Sequence, residues 1–270
     1  MSDAGVTSRS ITRVTRGGRE VTDDAVVVER ALEIRLAERS LSVTLRTPGD
    51  DEELVLGFLG GEGIVRRRAD VTGMDARAAE CSDEPDVLDV HLAPGIAIDW
   101  TKLERAFISS SACGLCGRAH LETMRARLAP VASSLRLDPK ALLAWPATLE
   151  QHQRSFQLTG GIHAAALANA RLELEVLRED VGRHNAVDKV CGWLLERGRY
   201  PLGGGVLWVS GRAGAEIVLK AARAGIAVVA AVGAPSSLAV ELAEAARLCL
   251  IGFLRGERFN VYAGADRLLS

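Results

Sequence analysis

The sequence has no long apolar run and no excess of basic charge. Its longest weakly polar stretch, "AGIAVVAAVGA" at 224–234, is far shorter than the ~20 residues that a membrane-spanning helix needs. The first thirty residues contain no apolar core of the kind that a secretory signal requires, so we expect a cytoplasmic protein without membrane association. With 33 Lys and Arg against 35 Asp and Glu, the formal net charge is -2, which argues against a basic nucleic-acid-binding protein.

Cysteine is also scarce. The chain of 270 residues has five, at Cys81, Cys113, Cys116, Cys191 and Cys249. An odd number in a chain without a secretory signal argues against a framework of disulfides. The length and the hydrophobic content of 48% suffice for a sizeable core without cross-links. We therefore expect free thiols or one functional pair.

The first hundred residues are typical of strands. Up to about Asp99 the apolar residues alternate or form short runs between turn residues. One stretch, "DDEELVLGFLGGEGIV", has an acidic first turn and then apolar residues, and it predicts a short helix that ends at Gly60-Gly61. The sequence thus predicts a β-rich unit over residues 1–105, followed by a connecting segment at 106–135 that carries "CGLC" on a loop.

The pattern changes over residues 136–270. Asp138 and Pro139 are typical of an N-cap and of the first position of a helix. Beyond them strand-like runs alternate with helical runs of ten or more residues; the strand-like runs include "LELEVLRED", "GVLWVSG", "IAVVAAVG" and "CLIGFL". This order predicts an α/β fold in which helices cover a largely parallel sheet.

The pair "CGLC" is the strongest local signal for chemistry. Such a pair suits two of four zinc ligands, a dithiol–disulfide couple, or a reactive thiolate with a partner. The chain has no second Cys-x-x-Cys or His-x(3–5)-His pair to complete a zinc site. The nearby "HLE" has the wrong order and spacing for a zinc deaminase. A thioredoxin-like couple would open a helix at the end of a strand, whereas this motif follows a serine run and has glycines on both sides, which makes that couple the lesser alternative. We favour a thiolate pair that could carry sulfur as a persulfide, beside the simpler alternative of two incidental reduced cysteines.

Two segments place an arginine where a strand ends and a helix begins. They are "EDVGRH", with Arg183 and His184, and "VSGRAGAE", with Ser210 and Arg212. In an open α/β sheet, ligands bind beyond the carboxyl ends of strands, and a helix N-terminus attracts anions. We therefore expect these four residues to bind phosphate groups at two adjacent strand ends.

For the first segment a purely structural interpretation is open as well. A helix is expected from about Arg183 to Arg197, with Gly198 after its end. Asp180 could cap the start of that helix, and His184 could bond to Asp188 one turn further on. The residues do not decide between a ligand site and this arrangement.

Two further segments leave their roles open. In "LTGGIHAAAL", the glycine pair before His163 indicates either a close approach of backbone to a ligand or a bulge. Near the C-terminus, arginines and aromatics suit the stacking of a base and the pairing of a phosphate. The alternative there is a solvated final strand and turn. The residues concerned are Phe253, Leu254, Arg255, Gly256, Glu257, Arg258 and Phe259.

Taken together, these motifs resemble the formate dehydrogenase accessory sulfurtransferase family, FdhD. The resemblance runs in order over nearly the whole chain, through "CGLCG", "TGGIHAAAL", "EDVGRHNAVDKV", "SGRAGAEIVLKAARAGI", "AVGAPSSLAVELA" and "GFLRGERFNVYAG". It implies a C-terminal cytidine-deaminase-like three-layer α/β/α domain that lacks the deaminase zinc site, and a smaller β-rich N-terminal domain. It also implies a homodimer that takes sulfur from a cysteine desulfurase. The sulfur would go to the molybdenum bis(molybdopterin guanine dinucleotide) cofactor, bound as a substrate, which formate dehydrogenase needs.

The resemblance also implies roles for particular residues. Cys113 would carry the persulfide with Cys116 as its partner, the segment from Phe253 to Phe259 would contact the cofactor, and the protein itself would hold no metal. One departure is that Ala213-Gly214-Ala215 follows "SGR" where a Ser-Phe-Glu stretch is expected, although Glu216 is retained. Two other functions stay open: a cofactor-binding chaperone without sulfur transfer, and a zinc-dependent deaminase or other hydrolase.

Overall fold

The computed structural model describes residues 5–81, 84–96, 98, 100 and 128–269. The strands within these ranges are Val6–Thr15 (β1), Gly18–Val27 (β2), Arg30–Leu36 (β3), Arg39–Arg46 (β4), Val71–Arg77 (β5), Asp86–Leu92 (β6), His163–Ala168 (β7), Leu174–Asp180 (β8), Gly204–Val209 (β9), Ile226–Ala231 (β10), Cys249–Arg255 (β11) and Arg258–Ala263 (β12). The helices are Asp51–Glu62 (α1), Pro139–Glu150 (α2), Arg154–Thr159 (α3), Arg183–Glu196 (α4), Ala215–Arg223 (α5) and Ser237–Ala245 (α6). Single 3-10 turns lie at Arg68–Asp70 and Ala265–Arg267. The α/β class is confirmed.

The C-terminal part is built on a six-stranded sheet with the order β12-β11-β10-β9-β7-β8. Strands β9, β10 and β11 are parallel, whereas β7 is antiparallel to both of its neighbours and β12 is antiparallel to β11. The prediction of a largely parallel sheet is therefore wrong for β7 and β12. Short turns connect β7 to β8 and β11 to β12, and a short connection can join only antiparallel strands.

Local sequence signals set the helix starts in this part. The Asp138 side chain accepts a hydrogen bond from the Lys140 N–H at 2.9 Å, and Pro139 takes the first helical position of α2, as predicted. Helix α4 begins at Arg183, and Gly198 beyond its end has a left-handed φ of 65°, also as predicted. Helix α4 packs on β7 and β8, α5 on β10, and α2 and α6 on β11.

Helix α1 joins the N-terminal part to this layer by packing on α4 with backbone against backbone. A Cβ atom at Gly57 would lie 1.8 Å from the Asp188 carbonyl oxygen, and one at Gly192 would lie 1.7 Å from that of Glu53. Only glycine permits so close an approach. The buried apolar residues of both parts consequently form one continuous core.

The prediction that α1 ends at Gly60-Gly61 is wrong, because the helix continues to Glu62 and Gly63 terminates it. The two glycines are packing positions. A Cβ atom at Gly60 would lie 2.8 Å from Leu195, and one at Gly61 would lie 3.1 Å from Lys220 Nζ. Tertiary packing thus outweighs the cost of roughly 1 kcal/mol for each glycine inside a helix.

The N-terminal part contains a four-stranded sheet with the order β4-β3-β6-β5 and a separate hairpin of β1 and β2. Apolar side chains on one face of the sheet, such as Ile34 and Val90, are buried in the shared core. Strand β2 of the hairpin packs on α3. The domain boundaries after residues 105 and 135 stay a prediction, as does the cytidine-deaminase-like layering. No helix within the described ranges has the length and hydropathy to cross a membrane.

Candidate functional site

Four parallel strands, β8 to β11, end at one edge of the six-stranded sheet, which we call the carboxyl edge. Strands β7 and β12 run the other way, so they begin at this edge with His163 and Arg258. The sequence-predicted residues outside "CGLC" therefore come together there: Arg183 and His184 after β8, Ser210 and Arg212 after β9, and the segment 253–259 at the turn between β11 and β12.

Backbone hydrogen bonds connect the loops of the carboxyl edge. The Gly233 N–H donates to the Gly211 carbonyl at 3.0 Å, and the Phe253 N–H donates to the Gly233 carbonyl at 3.1 Å. On the other side, the Ser210 N–H donates to the Ala164 carbonyl at 3.0 Å. The edge is consequently one connected surface that runs from β7 to β11.

The two predicted arginine loops do not follow adjacent strands. Strand β7 lies between β8 and β9, so the prediction of phosphate groups at two adjacent strand ends is wrong in that respect. His163, the first residue of β7, fills the gap. A Cβ atom at Gly211 would lie 3.5 Å from the His163 ring and 3.7 Å from Arg183 Cδ, which shows that these three residues are close neighbours.

The structure also decides the nature of the segment before His163. The register shift in the pairing of β7 with β8 lies at Leu167 and Ala168, at the far end of the strand, so the glycine pair does not form a bulge. Gly160 instead ends α3 with a left-handed φ of 63°. The only sequence signal for His163 was this glycine pair ahead of an apolar run.

His184 bonds to a different helix from the one expected in the structural interpretation. Its Nε2 atom lies 3.2 Å from Glu216 Oε2 in the first turn of α5. Asp188 instead bonds to Lys220 of α5 at 2.5 Å. Helices α4 and α5 are thus joined by two contacts one turn apart, so the suggested bond between His184 and Asp188 is wrong.

Asp180 holds the turn before α4 but does not cap the helix. Its Oδ1 atom accepts the Gly182 N–H at 2.8 Å, while Oδ2 lies 2.8 Å from Lys189 Nζ. Gly182 occupies the N-cap position, and no side chain within the described ranges caps the helix. Both members of the Asp180–Lys189 pair are almost wholly buried. Sequence reasoning missed this pair, because nothing local shows that Lys189 turns inward.

The two histidines of the carboxyl edge favour their neutral forms. Burial lowers the pKa of His163, the positive charge of Arg183 lowers it further, and Asp180 opposes both effects. Burial likewise lowers the pKa of His184, against the opposing effect of Glu216. A neutral imidazole has one N–H donor and one acceptor, so each ring can hold or relay a proton at this edge.

Four arginines at the carboxyl edge have no acidic partner among the residues that the structure describes. Within the described ranges, no carboxylate oxygen lies within 4 Å of the guanidinium groups of Arg183, Arg212, Arg255 or Arg258, whereas Arg178 and other arginines elsewhere form ion pairs. Uncompensated guanidinium groups on one edge attract anions, and their planar donor sets match phosphate. The arrangement favours an anionic ligand.

The segment 253–259 forms the turn between β11 and β12. Phe253 has a positive φ of 56°, and the Arg255 guanidinium lies 5.9 Å from the centre of its ring. Leu254 is buried, Phe259 is half-buried, and the polar residues between them are exposed. A hairpin that presents two arginines is compatible with a ligand-binding turn and with a solvated one, so cofactor contact by this segment stays a prediction.

Cys113 and Cys116 lie outside the described residues, so their role stays a prediction. Of the described cysteines, Cys81 is exposed, whereas Cys191 and Cys249 are buried. Burial raises the pKa of both buried thiols to about 12, so neither forms an appreciable amount of thiolate at neutral pH. The thiolate is the reactive form of cysteine, which excludes these two as nucleophiles in the folded protein.

Comparisons with known proteins agree on one family. A family model described as the FdhD/NarQ family matches residues 27–269. Two similar proteins are named sulfur carrier protein FdhD: one from Streptomyces coelicolor is 46% identical over 266 residues, covering 96% of this chain and 94% of that protein. The other, from Mycolicibacterium paratuberculosis, is 47% identical over 270 residues, covering 97% of this chain and 99% of that protein. A crystal structure described as a formate dehydrogenase accessory protein from Desulfotalea psychrophila is similar with a TM-score of 0.76 and 27% identity, covering 98% of this chain and 99% of that one.

Proposed function

The chain belongs to the FdhD/NarQ family, and we propose that it is a sulfur carrier for formate dehydrogenase. In this proposal it receives sulfur from a cysteine desulfurase as a persulfide on Cys113, with Cys116 in support. It then delivers the sulfur to the molybdenum bis(molybdopterin guanine dinucleotide) cofactor, which it binds as a substrate. The names of its relatives support the carrier role.

The observation that carries the cofactor part of the proposal is the set of four arginines at the carboxyl edge that form no ion pair within the described part of the chain. The proposed cofactor has two nucleotide arms, each with a diphosphate. Guanidinium groups bind phosphate through paired N–H donors, and a helix N-terminus such as that of α4 adds favourable partial charge. Arg183 and Arg212 would bind phosphates, while Arg255, Arg258 and the aromatic rings of the 253–259 turn would hold a nucleotide.

The sulfur-accepting step is a thiolate exchange. The Cys113 thiolate attacks the terminal sulfur of the desulfurase persulfide, a new S–S bond forms on Cys113, and the donor cysteine leaves as a thiolate. No net oxidation takes place. The step needs a thiol that ionises near neutral pH, and the buried Cys191 and Cys249 do not meet this requirement.

The test is to incubate the protein with a cysteine desulfurase and cysteine and then to measure its intact mass. We expect an adduct of one sulfur atom, about 32 Da, that peptide mapping assigns to Cys113 and that reductant removes. Cys113→Ala should abolish the adduct. Cys81→Ala is the matched control, because it removes an exposed thiol elsewhere and should leave the adduct intact. Absence of an adduct from both Cys113 and Cys116 in the wild type would reject the carrier role.

A second candidate is a chaperone that presents the molybdenum cofactor without transferring sulfur. The arginines and histidines that come together at the carboxyl edge would serve such a chaperone as well, because binding the cofactor needs no reactive cysteine. The double variant Cys113→Ala/Cys116→Ala separates the two functions. If formate dehydrogenase still matures with this variant, the chaperone function is correct.

We also propose that the protein works as a homodimer, and sedimentation velocity of the purified chain tests this. A zinc-dependent hydrolase on the same scaffold would contain stoichiometric zinc. Metal analysis of the purified protein tests that alternative without an activity assay.

A further inference from the structure

We propose that an apolar patch beside the carboxyl edge is the docking surface for the client enzyme that takes up the cofactor. The patch consists of Val43, Leu45, Phe156 and Leu158. The inference rests on the proposed function, which names a client but no surface for it. Three features carry it: the exposure of the four side chains, their common position in the fold, and the charges around them.

The patch contains most of the large hydrophobic side chains that the protein exposes. Within the described ranges seven such side chains are exposed, and the four of the patch show between 40% and 58% of their surfaces. The other three are Val14 and Val21, near the turn of the β1–β2 hairpin, and Leu269. Single exposed apolar residues are normal on a protein surface, whereas a group of them beside a binding site marks a surface for a partner.

Both halves of the patch are attached to the connection between β8 and α4. Val43 and Leu45 are alternate residues of β4, so their side chains lie on the same face of that strand. The Leu45 carbonyl accepts a hydrogen bond from Asn185 Nδ2 in the first turn of α4 at 2.8 Å. On the other side, the Phe156 N–H donates to Glu179 Oε1 near the end of β8 at 2.8 Å. The two halves therefore flank the chain that carries the first arginine and histidine of the carboxyl edge.

A pocket of about 260 Å³ lies between the two halves of the patch. Its lining includes residues 47–50, which follow β4, and Arg154 at the start of α3. The acidic groups of the pocket are already engaged, because Asp50 lies 3.2 Å from Arg178 Nε and Glu179 accepts two N–H groups of α3. Arg154 forms no ion pair within the described part of the chain. The pocket consequently offers a positive charge to a side chain of a partner.

These charges identify the chemistry of the partner. Arg154 and the four arginines of the carboxyl edge form no ion pairs among the described residues, so this side of the molecule favours a protein face with acidic groups around apolar side chains. In the proposed function the cofactor leaves the carboxyl edge for the enzyme that uses it. That enzyme has to contact the surface beside this edge, which is where the patch lies. The occupant is thus the client, formate dehydrogenase without its cofactor.

The test measures binding of cofactor-free formate dehydrogenase from the same organism to the full chain by biolayer interferometry. We expect Val43→Ser/Leu45→Ser and Phe156→Ser/Leu158→Ser each to weaken binding about tenfold, because a few apolar contacts carry most of the affinity of an interface. The matched control is Val14→Ser/Val21→Ser, which removes two side chains that are 65% and 77% exposed on the hairpin. It should change the affinity less than about twofold. Absence of binding by the wild type, or equal binding by the wild type and both patch variants, would overturn the inference.

Further readouts separate this inference from the proposed function and from other occupants. The sulfur adduct on Cys113 should form equally in the wild type and in both patch variants. If the wild type forms no adduct but binds the client through the patch, sulfur carriage fails alone; if it forms the adduct but the patch variants bind the client normally, the docking surface fails alone. Loss of the adduct only in the patch variants would assign the patch to the desulfurase. Conversion of a dimer into a monomer by these variants, measured by sedimentation velocity, would assign it to a second copy. Either result would overturn the inference.

A measurement on the wild type does not depend on the folding of the variants. Hydroxyl-radical footprinting compares the oxidation of side chains in the free protein and in its complex with the client. We expect Leu45 and Phe156 to be oxidised less in the complex, and Val21 to be oxidised equally in both. Unchanged oxidation of Leu45 and Phe156 in the complex would contradict docking at the patch.

Discussion

The ammonium group of Lys220 on α5 lies 2.5 Å from a carboxylate oxygen of Asp188 on α4, and the two side chains expose only 11% and 4% of their surfaces. One turn nearer the helix N-termini, His184 and Glu216 make a second contact between the same helices. Gly61 of α1 covers the buried pair. Because both helices begin at the carboxyl edge, these contacts fix the separation of their first turns.

Asp188→Asn should destabilise the protein strongly, because it leaves the buried charge of Lys220 without its partner. We expect the free energy of unfolding in urea to fall by about 3–5 kcal/mol. The double variant Asp188→Leu/Lys220→Met, which removes both charges, should recover most of the loss. A single variant within about 1 kcal/mol of the wild type would show that the pair contributes little to the fold.

The histidines of the carboxyl edge should make the protein less stable as the pH falls. The folded-state pKa values of His163 and His184 are lowered, so below about pH 6.5 the unfolded chain binds more protons than the folded one. This contribution to stability is fully present above that pH and is lost as the pH falls from there through the lower folded-state pKa values. His163→Gln should reduce the proton uptake on unfolding by up to about one proton. Urea unfolding at roughly pH 5.5, 6.5 and 7.5 measures this uptake.

The exposed His152 provides the matched control for this pH series. We measure the difference in stability between the lowest and the highest pH for each variant. His152→Gln should change this difference less than His163→Gln changes it. If the two variants have the same dependence on pH, the burial of His163 does not govern its titration.

Arginines of the carboxyl edge should contribute to the binding of an anionic nucleotide. We expect Arg183→Gln and Arg212→Gln each to weaken guanosine diphosphate binding about fivefold to tenfold, with a weaker dependence on salt, because each removes one phosphate-pairing group. The control is Arg171→Gln, since Arg171 is exposed in the turn between β7 and β8 at the opposite edge of the sheet. Equal losses in the control and the two edge variants would place the binding site elsewhere.

The described cysteines should differ sharply in reactivity. Iodoacetamide should modify the exposed Cys81 of the native protein, whereas Cys191 and Cys249 should react only after denaturation, because burial raises their pKa values to about 12. Peptide mapping after a short exposure measures this. Modification of Cys191 in the native protein at the rate of Cys81 would show that the core around α4 opens readily.

Local chemistry predicted some elements well. The start of α2 follows from Asp138 and Pro139, and the start of α4 follows from a glycine turn after a strand, because these signals act over a few residues. The convergence of Arg183 and Ser210 on one edge followed from the alternation of strands and helices.

Other features depend on contacts between distant parts of the chain, and the sequence did not predict them. The insertion of β7 between β8 and β9 is a choice of strand pairing that no single segment encodes. Helix α1 continues through Gly60 and Gly61 because α4 and α5 pack against it, and His184 bonds to Glu216 because α5 lies beside α4. Each is a case in which tertiary packing overrides a local preference.

Transfer of labelled sulfur to the client tests sulfur carriage most directly. The protein would be combined with a cysteine desulfurase, radiolabelled cysteine and sulfur-free formate dehydrogenase, and both label and formate oxidation would be measured in the re-isolated client. We predict label and activity with the wild type and with Cys81→Ala, and neither with Cys113→Ala. Equal maturation with Cys113→Ala/Cys116→Ala would contradict sulfur carriage by this chain.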